Sequence, residues 1–249
     1  MKPPSQRGAG GHPVDGLLLV DKPGGMTSHD VVYRIRRHFG FKKVGHGGTL
    51  DPMATGLLII LMGRGTKRSN WVMGSDKTYE GTMHFGVTTD SQDLDGKILS
   101  EQDTGAVTEE RVREEMRIRT GDLLQTPPMV SAVKKDGIPL YKLARKGKTV
   151  EREPRLIHVY AFEMLSYALP DARFRLTCTK GTYVRTLCHE IGQDIGCGAH
   201  LSVLRRTRSG PYSVNDAMRL EDILATDPAE VAERVIPPHK AGVHSQPIS

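Results

Sequence analysis

The residues best suited to chemistry in this sequence lie in one short segment, 45–56. It contains four glycines, one histidine (His46) and one carboxylate (Asp51), and an apolar run at 57–61 follows directly. Glycines at this density let the backbone approach a ligand closely, and the apolar run predicts a buried strand that holds the loop rigidly. A carboxylate on such a loop is positioned like a catalytic group. An Asp-Pro turn beside a hairpin would explain the same residues without any chemistry.

Two other glycine-rich motifs do not fit this segment. A Walker-type phosphate loop requires Gly-Lys-Ser/Thr after a four-residue gap, and a dinucleotide fingerprint requires a third glycine at fixed spacing. The segment has neither, and the later Gly63-Arg64-Gly65-Thr66-Lys67 has the wrong spacing. Nucleotide hydrolysis is therefore excluded as the chemistry of this loop.

Composition is that of an ordinary globular protein. The 249 residues are 37% hydrophobic and 26% charged, enough for one large domain or two small ones. No apolar run approaches the roughly eighteen residues of a membrane span, and the N-terminus lacks a signal-peptide core, which predicts a cytoplasmic protein with no membrane partner. Cys178, Cys188 and Cys197 form no C-x-x-C pair. They are expected to be small buried hydrophobes, and no metal site is expected.

Positive charge is concentrated in segment 134–155. The whole chain has a formal charge of +6, and this segment alone has eight basic and three acidic residues. Such clustering is typical of a nucleic-acid surface, although a merely solvated face would look the same. A second cluster, Arg205, Arg206 and Arg208, also favours a nucleic-acid partner.

Periodicity and capping residues predict the elements that position these groups. A helix is expected where a capping residue precedes a 3.6-residue apolar period and a glycine or basic turn follows. Because strands and helices do not alternate strictly, an α+β sheet fold is favoured over a doubly wound one. The predicted strands are 16–20, 78–86 and a stretch around 174–178; the predicted helices run from Thr27 or Ser28 to 39, 108 to about 119, two turns within 139–146, and about 183 to 195.

Motifs along most of the chain resemble those of the TruB-type tRNA pseudouridine synthases. Segment 45–56 matches the family's G-H-T-G-T-L-D-P-x-A-T-G except at Gly47, where the family usually has Thr. Five further motifs occur in the family's order, at 18–28, 75–79, 126–134, 180–187 and 198–206. Gly47 removes a hydroxyl and stiffness next to His46, which affects the placement of His46 but not the role of Asp51.

The resemblance implies a fold and a reaction. The expected fold is the α+β pseudouridine synthase fold, a central mixed, mostly antiparallel sheet flanked by helices. The catalytic domain would span 14–223, with a mobile thumb inserted at about 125–155. Residues 1–13 are expected to be a disordered tail, and 224–249 a short C-terminal tail with no complete PUA domain. The implied activity is conversion of uridine 55 in the T-loop of tRNA to pseudouridine, without a cofactor, by a monomer that needs no protein partner.

The resemblance also assigns roles to residues. Asp51 is the implied nucleophile, and its addition to the sugar, its addition to the base, or assistance to deprotonation at C2′ all remain open. Tyr79 would stack on the flipped uracil and shuttle a proton, and Arg185 would keep Asp51 ionised. The other implied site residues are Tyr183 and Leu204 in the uracil pocket, His46 against the target loop, Lys22 among the substrate-binding residues as a support of the loop, and Lys142, Arg145, Lys146, Arg205 and Arg206 on the RNA backbone.

Two other functions would use similar motifs. One is a tRNA-binding folding chaperone whose catalysis is dispensable, and the other is the catalytic subunit of a guide-RNA-dependent ribonucleoprotein. An inactive binder would not need Asp51, Tyr79 and Arg185 together, so their joint presence favours an enzyme.

Overall fold

The computed structural model describes residues 14–131, 133–135, 137–144 and 146–241. The expectations for the tail at 1–13, for Arg145 and for residues 242–249 lie outside this range. The strands are β1 Gly16–Lys22, β2 Val44–His46, β3 Thr55–Met62, β4 Lys77–Phe85, β5 Val87–Thr89, β6 Ile98–Glu101, β7 Gly121–Gln125, β8 Lys134–Lys135, β9 Ile138–Pro139, β10 Arg155–Ala168, β11 Asp171–Cys178, β12 Ala199–Ser209, β13 Tyr212–Ser213 and β14 Met218–Arg219. The helices are α1 Ser28–Phe39, α2 Ser69–Gly74, α3 Glu109–Ile118, α4 Leu140–Ala144, α5 Val184–Ile195, α6 Leu220–Ala225 and α7 Pro228–Glu233, with short 3₁₀ turns at Gly63–Arg68 and Val214–Asp216.

The chain forms two compact units. The first comprises the residues up to Lys77 together with those from Arg205 onward, and the second comprises Thr78–Leu204. The chain therefore passes from one unit to the other inside strand β4 and again inside strand β12.

The first unit is built around strand β3. This strand pairs antiparallel with β1 from Gly56 to Met62, antiparallel with β2, and parallel with β12 at Arg205 and Arg206. A short parallel pair joins β1 to β14. All residues of β3 after Thr55 are buried, and a strand covered on both faces explains why its sequence is uninterruptedly apolar.

Helix α1 is set by its own end residues. Thr27 and Asp30 form a capping box in which each side chain bonds the other's backbone N–H, and Gly40 ends the helix in the left-handed conformation at φ 67°. Val31, Val32 and Ile35 form its buried face. The helix predicted from Thr27 or Ser28 to residue 39 is confirmed.

The segment that follows α6 packs into the first unit. Leu17 and Ile236 exchange backbone hydrogen bonds, N to O, of 2.9 and 2.8 Å. Val231 and Val235 are buried. The described part of the predicted C-terminal tail, residues 224–241, is therefore a packed element of this unit.

The second unit has the strand order β12-β4-β11-β10-β7, in which β10 runs antiparallel to both β11 and β7. Strand β11 alternates as predicted, because Phe174, Leu176 and Cys178 are buried. Helices α3 and α5 are confirmed, with Thr108 as the N-cap of α3 and Gly196 in the left-handed conformation after α5. In the described part of the predicted thumb, β8 pairs with β9 and α4 follows, so the expected helical turns form at Leu140–Ala144.

The expected α+β class with a mixed, mostly antiparallel sheet and flanking helices is confirmed. Cys178, Cys188 and Cys197 are buried, as predicted, and burial raises the pKa of the Cys188 thiol. No helix in the described part of the chain is long and apolar enough to cross a membrane.

Candidate active site

The loop that carries Asp51 is fixed at its backbone on both sides of the carboxylate. Before it, the Leu50 N–H donates to Ser28 Oγ at 2.8 Å, and that hydroxyl donates to the Leu50 carbonyl at 3.1 Å. After it, the Pro52 carbonyl accepts from the Gly25 N–H at 3.0 Å. Asp51 itself is partly exposed. Its position is therefore set by the first helix and the turn before it, while the residue keeps access to the surface of the unit.

Lys22 lies beneath this loop with no exposed surface. Its Nζ donates to the carbonyls of Pro23 at 2.8 Å, Met26 at 2.7 Å and Pro52 at 3.2 Å. A buried ammonium is tolerated when its donors are satisfied, and three carbonyls at these distances meet that condition. Lys22 thus ties the residue that follows Asp51 to the end of β1. Its burial agrees with a supporting role and not with direct contact to a substrate.

Arg206 is predicted to lie on the RNA backbone, and the structure contradicts this. The residue is 2% exposed. Its Nε donates to the Leu57 carbonyl at 2.7 Å, and its terminal nitrogens reach the carbonyls of Thr49 at 3.4 Å and Gly48 at 3.2 Å. The prediction is wrong because the guanidinium is used inside the unit, where it joins the two sides of the loop that carries Asp51.

The approach of Arg206 explains one glycine of the motif. Gly56 has φ 97°, and a Cβ there would lie 2.4 Å from the Arg206 carbonyl oxygen. Only glycine fits such a position, because both the backbone angle and the available space exclude a side chain.

Arg205, the neighbour of Arg206, forms an ion pair with a carboxylate. Its two terminal nitrogens lie 3.0 and 2.7 Å from the two oxygens of Asp21. The arginine side chain remains 39% exposed. The contact of Arg205 with RNA therefore stays a prediction. In such a contact the guanidinium would bind phosphate while it is already paired with Asp21.

His46 ends strand β2 and is half-buried. Its ring meets that of His29 edge to face, with 5.8 Å between centroids. Burial, followed by the positive charges of His29 and Arg206, lowers the pKa of His46 below its usual value, while a backbone hydrogen bond with Gly48 acts in the opposite direction. The imidazole is therefore neutral at neutral pH.

Gly47, the departure from the family motif, is packed against its surroundings. Its N–H donates to the Ile59 carbonyl at 2.8 Å. A Cβ added at Gly47 would lie 2.2 Å from Cγ1 of Val72. The space that a threonine side chain would need is occupied by the Val72 side chain, and His46 is held by a tightly fitted backbone next to it.

In the second unit, Arg185 lies in the first turn of α5 and is 3% exposed. It forms an ion pair of 2.9 Å with Asp93, whose side chain is 4% exposed, and it also donates to the Val130 carbonyl. Asp93 is a partner of this candidate residue that the sequence does not reveal, since the segment around it has only the character of an acidic loop. Only the structure shows that this guanidinium and its carboxylate partner are both buried.

The loop of Asp93 is itself braced. Ser91 Oγ donates to one oxygen of Asp93 at 2.5 Å, and the Asp95 N–H donates to the same oxygen at 3.2 Å. Gln92 adopts φ 66°, unusual for a residue with a side chain, and its Oε1 accepts from the Thr186 hydroxyl at 2.8 Å. The loop is thereby fastened to the helix that carries Arg185.

Tyr183, the N-cap of α5, is held by a second residue that the sequence does not reveal. Gln125 is buried, accepts from the Tyr183 N–H at 2.8 Å and donates to its carbonyl at 3.1 Å. The Arg185 guanidinium lies 5.7 Å from the centroid of the Tyr183 ring. The structure thus brings Tyr183, Arg185 and Asp93 together at the start of α5.

The remaining predicted residues are distributed over the two units. Tyr79 is half-buried in β4, Leu204 is buried in β12, and Lys142 and Lys146 are exposed. Asp51 belongs to the first unit, while Tyr79, Arg185 and Leu204 belong to the second. Their joint action therefore stays a prediction from the motifs. Across the described residues, no group of three or more His, Cys, Asp or Glu side chains is placed to hold a metal ion.

Two family models match the chain. The model for the TruB family pseudouridylate synthase (N terminal domain) covers residues 36–184, and that for the tRNA pseudouridylate synthase B C-terminal domain covers residues 185–243.

Curated relatives and solved structures agree with these models. The tRNA pseudouridine synthase B of Opitutus terrae is 54% identical over 228 residues, 92% of this chain and 95% of the relative. That of Syntrophotalea carbinolica is 48% identical over 223 residues, 90% of this chain and 73% of the relative. A chain in the crystal structure of a Cbf5-Nop10-Gar1 complex is similar at 31% identity and a TM-score of 0.72, covering 92% of this chain and 64% of that one. The matches include both the glycine-rich loop of Asp51 and the helix of Arg185, and the chain belongs to the TruB family of pseudouridylate synthases.

Proposed function

We propose that this protein converts uridine 55 in the T-loop of tRNA to pseudouridine, with Asp51 as the nucleophile. The observation that supports this most directly is the loop of Asp51, whose backbone is fixed by Ser28, Gly25 and Lys22 while Asp51 remains partly exposed. The relatives named tRNA pseudouridine synthase B, which match over most of the chain, support tRNA as the substrate. As a working location we propose the cytoplasm, where such a substrate is found.

The reaction needs positioned groups rather than an added reagent. The N1–C1′ glycosidic bond breaks, the uracil rotates, and a C5–C1′ bond forms; the proton lost from C5 is balanced by the one gained at N1. The product has the same atoms as the substrate, so no oxidant, reductant or energy source is consumed. A carboxylate next to the sugar and base, an extruded nucleotide and a group that moves the C5 proton are sufficient.

The proposed roles follow from these needs. Asp51 must be ionised in a site that RNA would seal from water, and a nearby guanidinium opposes the rise in its pKa; we assign that task to Arg185. Tyr79 is the proposed stacking partner of the extruded uracil, where stacking on an aromatic ring is worth about 1–3 kcal/mol, and a proton carrier. Asp93 positions Arg185 through their 2.9 Å ion pair.

A guide-RNA-dependent subunit is the main competing function, because the similar chain in the Cbf5-Nop10-Gar1 complex comes from a multi-protein assembly. The higher identity to tRNA pseudouridine synthase B relatives favours the tRNA enzyme. A tRNA chaperone without catalysis would use the same RNA surface but not the Asp51 carboxylate.

Tritium release from tRNA that carries 5-tritiated uridine tests the proposal, since C5 loses its hydrogen in the reaction. The purified protein alone should release tritium, and a tRNA with cytidine at position 55 should not support release. The variant Asp51→Asn should release none while binding tRNA nearly as well, because affinity comes mainly from phosphate contacts. Turnover by the Asn variant would contradict the nucleophile role, and dependence on an added guide RNA would favour the competing function.

A further inference from the structure

One exposed face of helix α1 has no role in the function proposed above. The ring of Tyr33 is 50% exposed. The Arg36 guanidinium lies 5.9 Å from its centroid, and the Arg37 Nη1 lies 3.4 Å from its hydroxyl. These distances put the three side chains on the same face, with Tyr33 about one turn beyond His29 and the two arginines about two turns beyond it. The α1 stripe is defined as His29, Tyr33, Arg36 and Arg37, all exposed.

The stripe belongs to a region of one-sided charge. Residues 29–46 contain five arginines and lysines and one carboxylate, that of Asp30, which is held by Thr27 in the capping box of α1, in a chain whose formal charge is +6. Lys42 and Lys43, in the turn between α1 and β2, are exposed and continue the same positive surface. The thumb segment 134–155, in contrast, contains three acidic residues in addition to its eight basic ones. A surface with a large excess of positive charge attracts phosphate more strongly than a mixed one.

The stripe is continuous with His46. The rings of His29 and His46 meet edge to face at 5.8 Å. From residue 29 to residue 37 the helix axis advances about 12 Å, so the arginines lie roughly that far along α1 from the histidine pair. A ligand strand that touches His46 can therefore follow α1 to Arg36 and Arg37.

We infer that the α1 stripe, with Lys42 and Lys43, binds the RNA backbone next to the target loop. The inference rests on the proposed function and on the contact of His46 with the target loop that the motifs predict. Guanidinium groups bind phosphate through paired N–H donors, and an exposed tyrosine ring offers a stacking surface for a base. This combination suits a nucleic acid better than an acidic protein segment.

The test compares two pairs of exposed arginines. Arg36→Gln with Arg37→Gln removes two charges from the stripe. Arg113→Gln with Arg117→Gln is the matched control on α3, where both arginines are exposed but paired with Glu109 and Glu114. For each double variant, the affinity for an isolated T-arm stem-loop RNA is measured as a function of salt. Removing one charge that binds a phosphate makes the slope of log affinity against log salt shallower by about 0.7–0.9.

The stripe variant should show a slope that is shallower by about 1.4–1.8, so its affinity deficit relative to wild type should shrink about tenfold between about 50 and 200 mM salt. The control should follow wild type. Lys42→Gln with Lys43→Gln should also make the slope shallower, as an independent variant outside the helix. If both the stripe and the lysine variants keep the wild-type slope, the inference is overturned. Tritium release by the wild type is scored separately, so its absence would overturn the proposed activity while the slopes still decide whether this face binds RNA.

Discussion

Arg185 is buried, so its charge depends on the carboxylate of Asp93. Removing one partner of a buried ion pair costs about 3–5 kcal/mol, because the remaining charge is left in a poorly solvated place. Asp93→Asn keeps the size of the side chain and removes its charge. It should lower the free energy of unfolding by about that amount and reduce tritium release about 100-fold through displacement of Arg185.

Asp95→Asn is the matched control for this substitution, because Asp95 is an exposed carboxylate of the same loop. Urea unfolding and tritium release are measured for both variants. If Asp93→Asn behaves like Asp95→Asn in both measurements, the ion pair does not position Arg185.

His46 makes stability depend on pH in a defined direction. Its pKa is lowered in the folded state, mainly by burial, so the unfolded chain binds a proton more readily. At pH values above the unfolded pKa of about 6.5, the protein keeps the corresponding stability. As the pH falls from that value to the lowered folded pKa, this stability is lost. Wild type should therefore lose more stability between about pH 7.5 and 5.5 than His46→Gln, as read from urea midpoints. Equal losses would mean that other groups account for the pH dependence.

At the scale of elements, the packing of the Asp51 loop on helix α2 depends on Gly47 and Val72. A Cβ at Gly47 would meet Val72 Cγ1 at 2.2 Å. Gly47→Thr should therefore destabilise the protein by about 1–3 kcal/mol, as overpacking does. Val72→Ala should recover part of that stability when combined with Gly47→Thr, although alone it leaves a cavity. Thermal or urea unfolding of the three variants checks this, and strictly additive destabilisation would contradict the steric explanation.

The thumb is the second element with a testable role. Lys142 and Lys146 are exposed, and Arg145 is predicted to act with them on the RNA backbone. Neutralising all three to Gln should weaken tRNA binding and reduce its salt slope by up to about 0.7–0.9 for each phosphate that the variant no longer binds. Binding is measured over a range of salt concentrations. An unchanged slope would show that this face is only solvated.

At the scale of the whole molecule, the residues proposed for chemistry are distributed over both compact units of one chain. We therefore expect the purified chain to modify an isolated T-arm stem-loop without guide RNA or a protein partner, at an efficiency near that of whole tRNA. Tritium release from the two RNAs, compared at equal concentration, measures this. Strict dependence on full-length tRNA, or on an added RNA or protein, would contradict it.

Features that depend on neighbouring residues could be predicted from the sequence. The capping residues Thr27 and Thr108 and the end glycines Gly40 and Gly196 locate three helices, because helix ends are satisfied by groups a few residues away. The loop of Asp51 could also be located from the sequence, because its motif consists of contiguous residues. Strand β10 could not be predicted from the sequence. The apolar side chain of Leu156 is exposed and interrupts the alternation of apolar and polar residues, and the pairing of β10 with β11 contains two irregularities.

Only the tertiary structure shows which charged side chains are buried and paired inside the protein. Asp93 and Arg185 are separated by 92 residues, and nothing local marks either as buried. Arg206 looks like a surface cation in an arginine-rich run, yet β12 places it where the carbonyls of Gly48, Thr49 and Leu57 converge. A side chain's partners across the fold depend on strand pairing between distant segments, and the free energy of burying a charge is decided by those partners rather than by its neighbours in sequence.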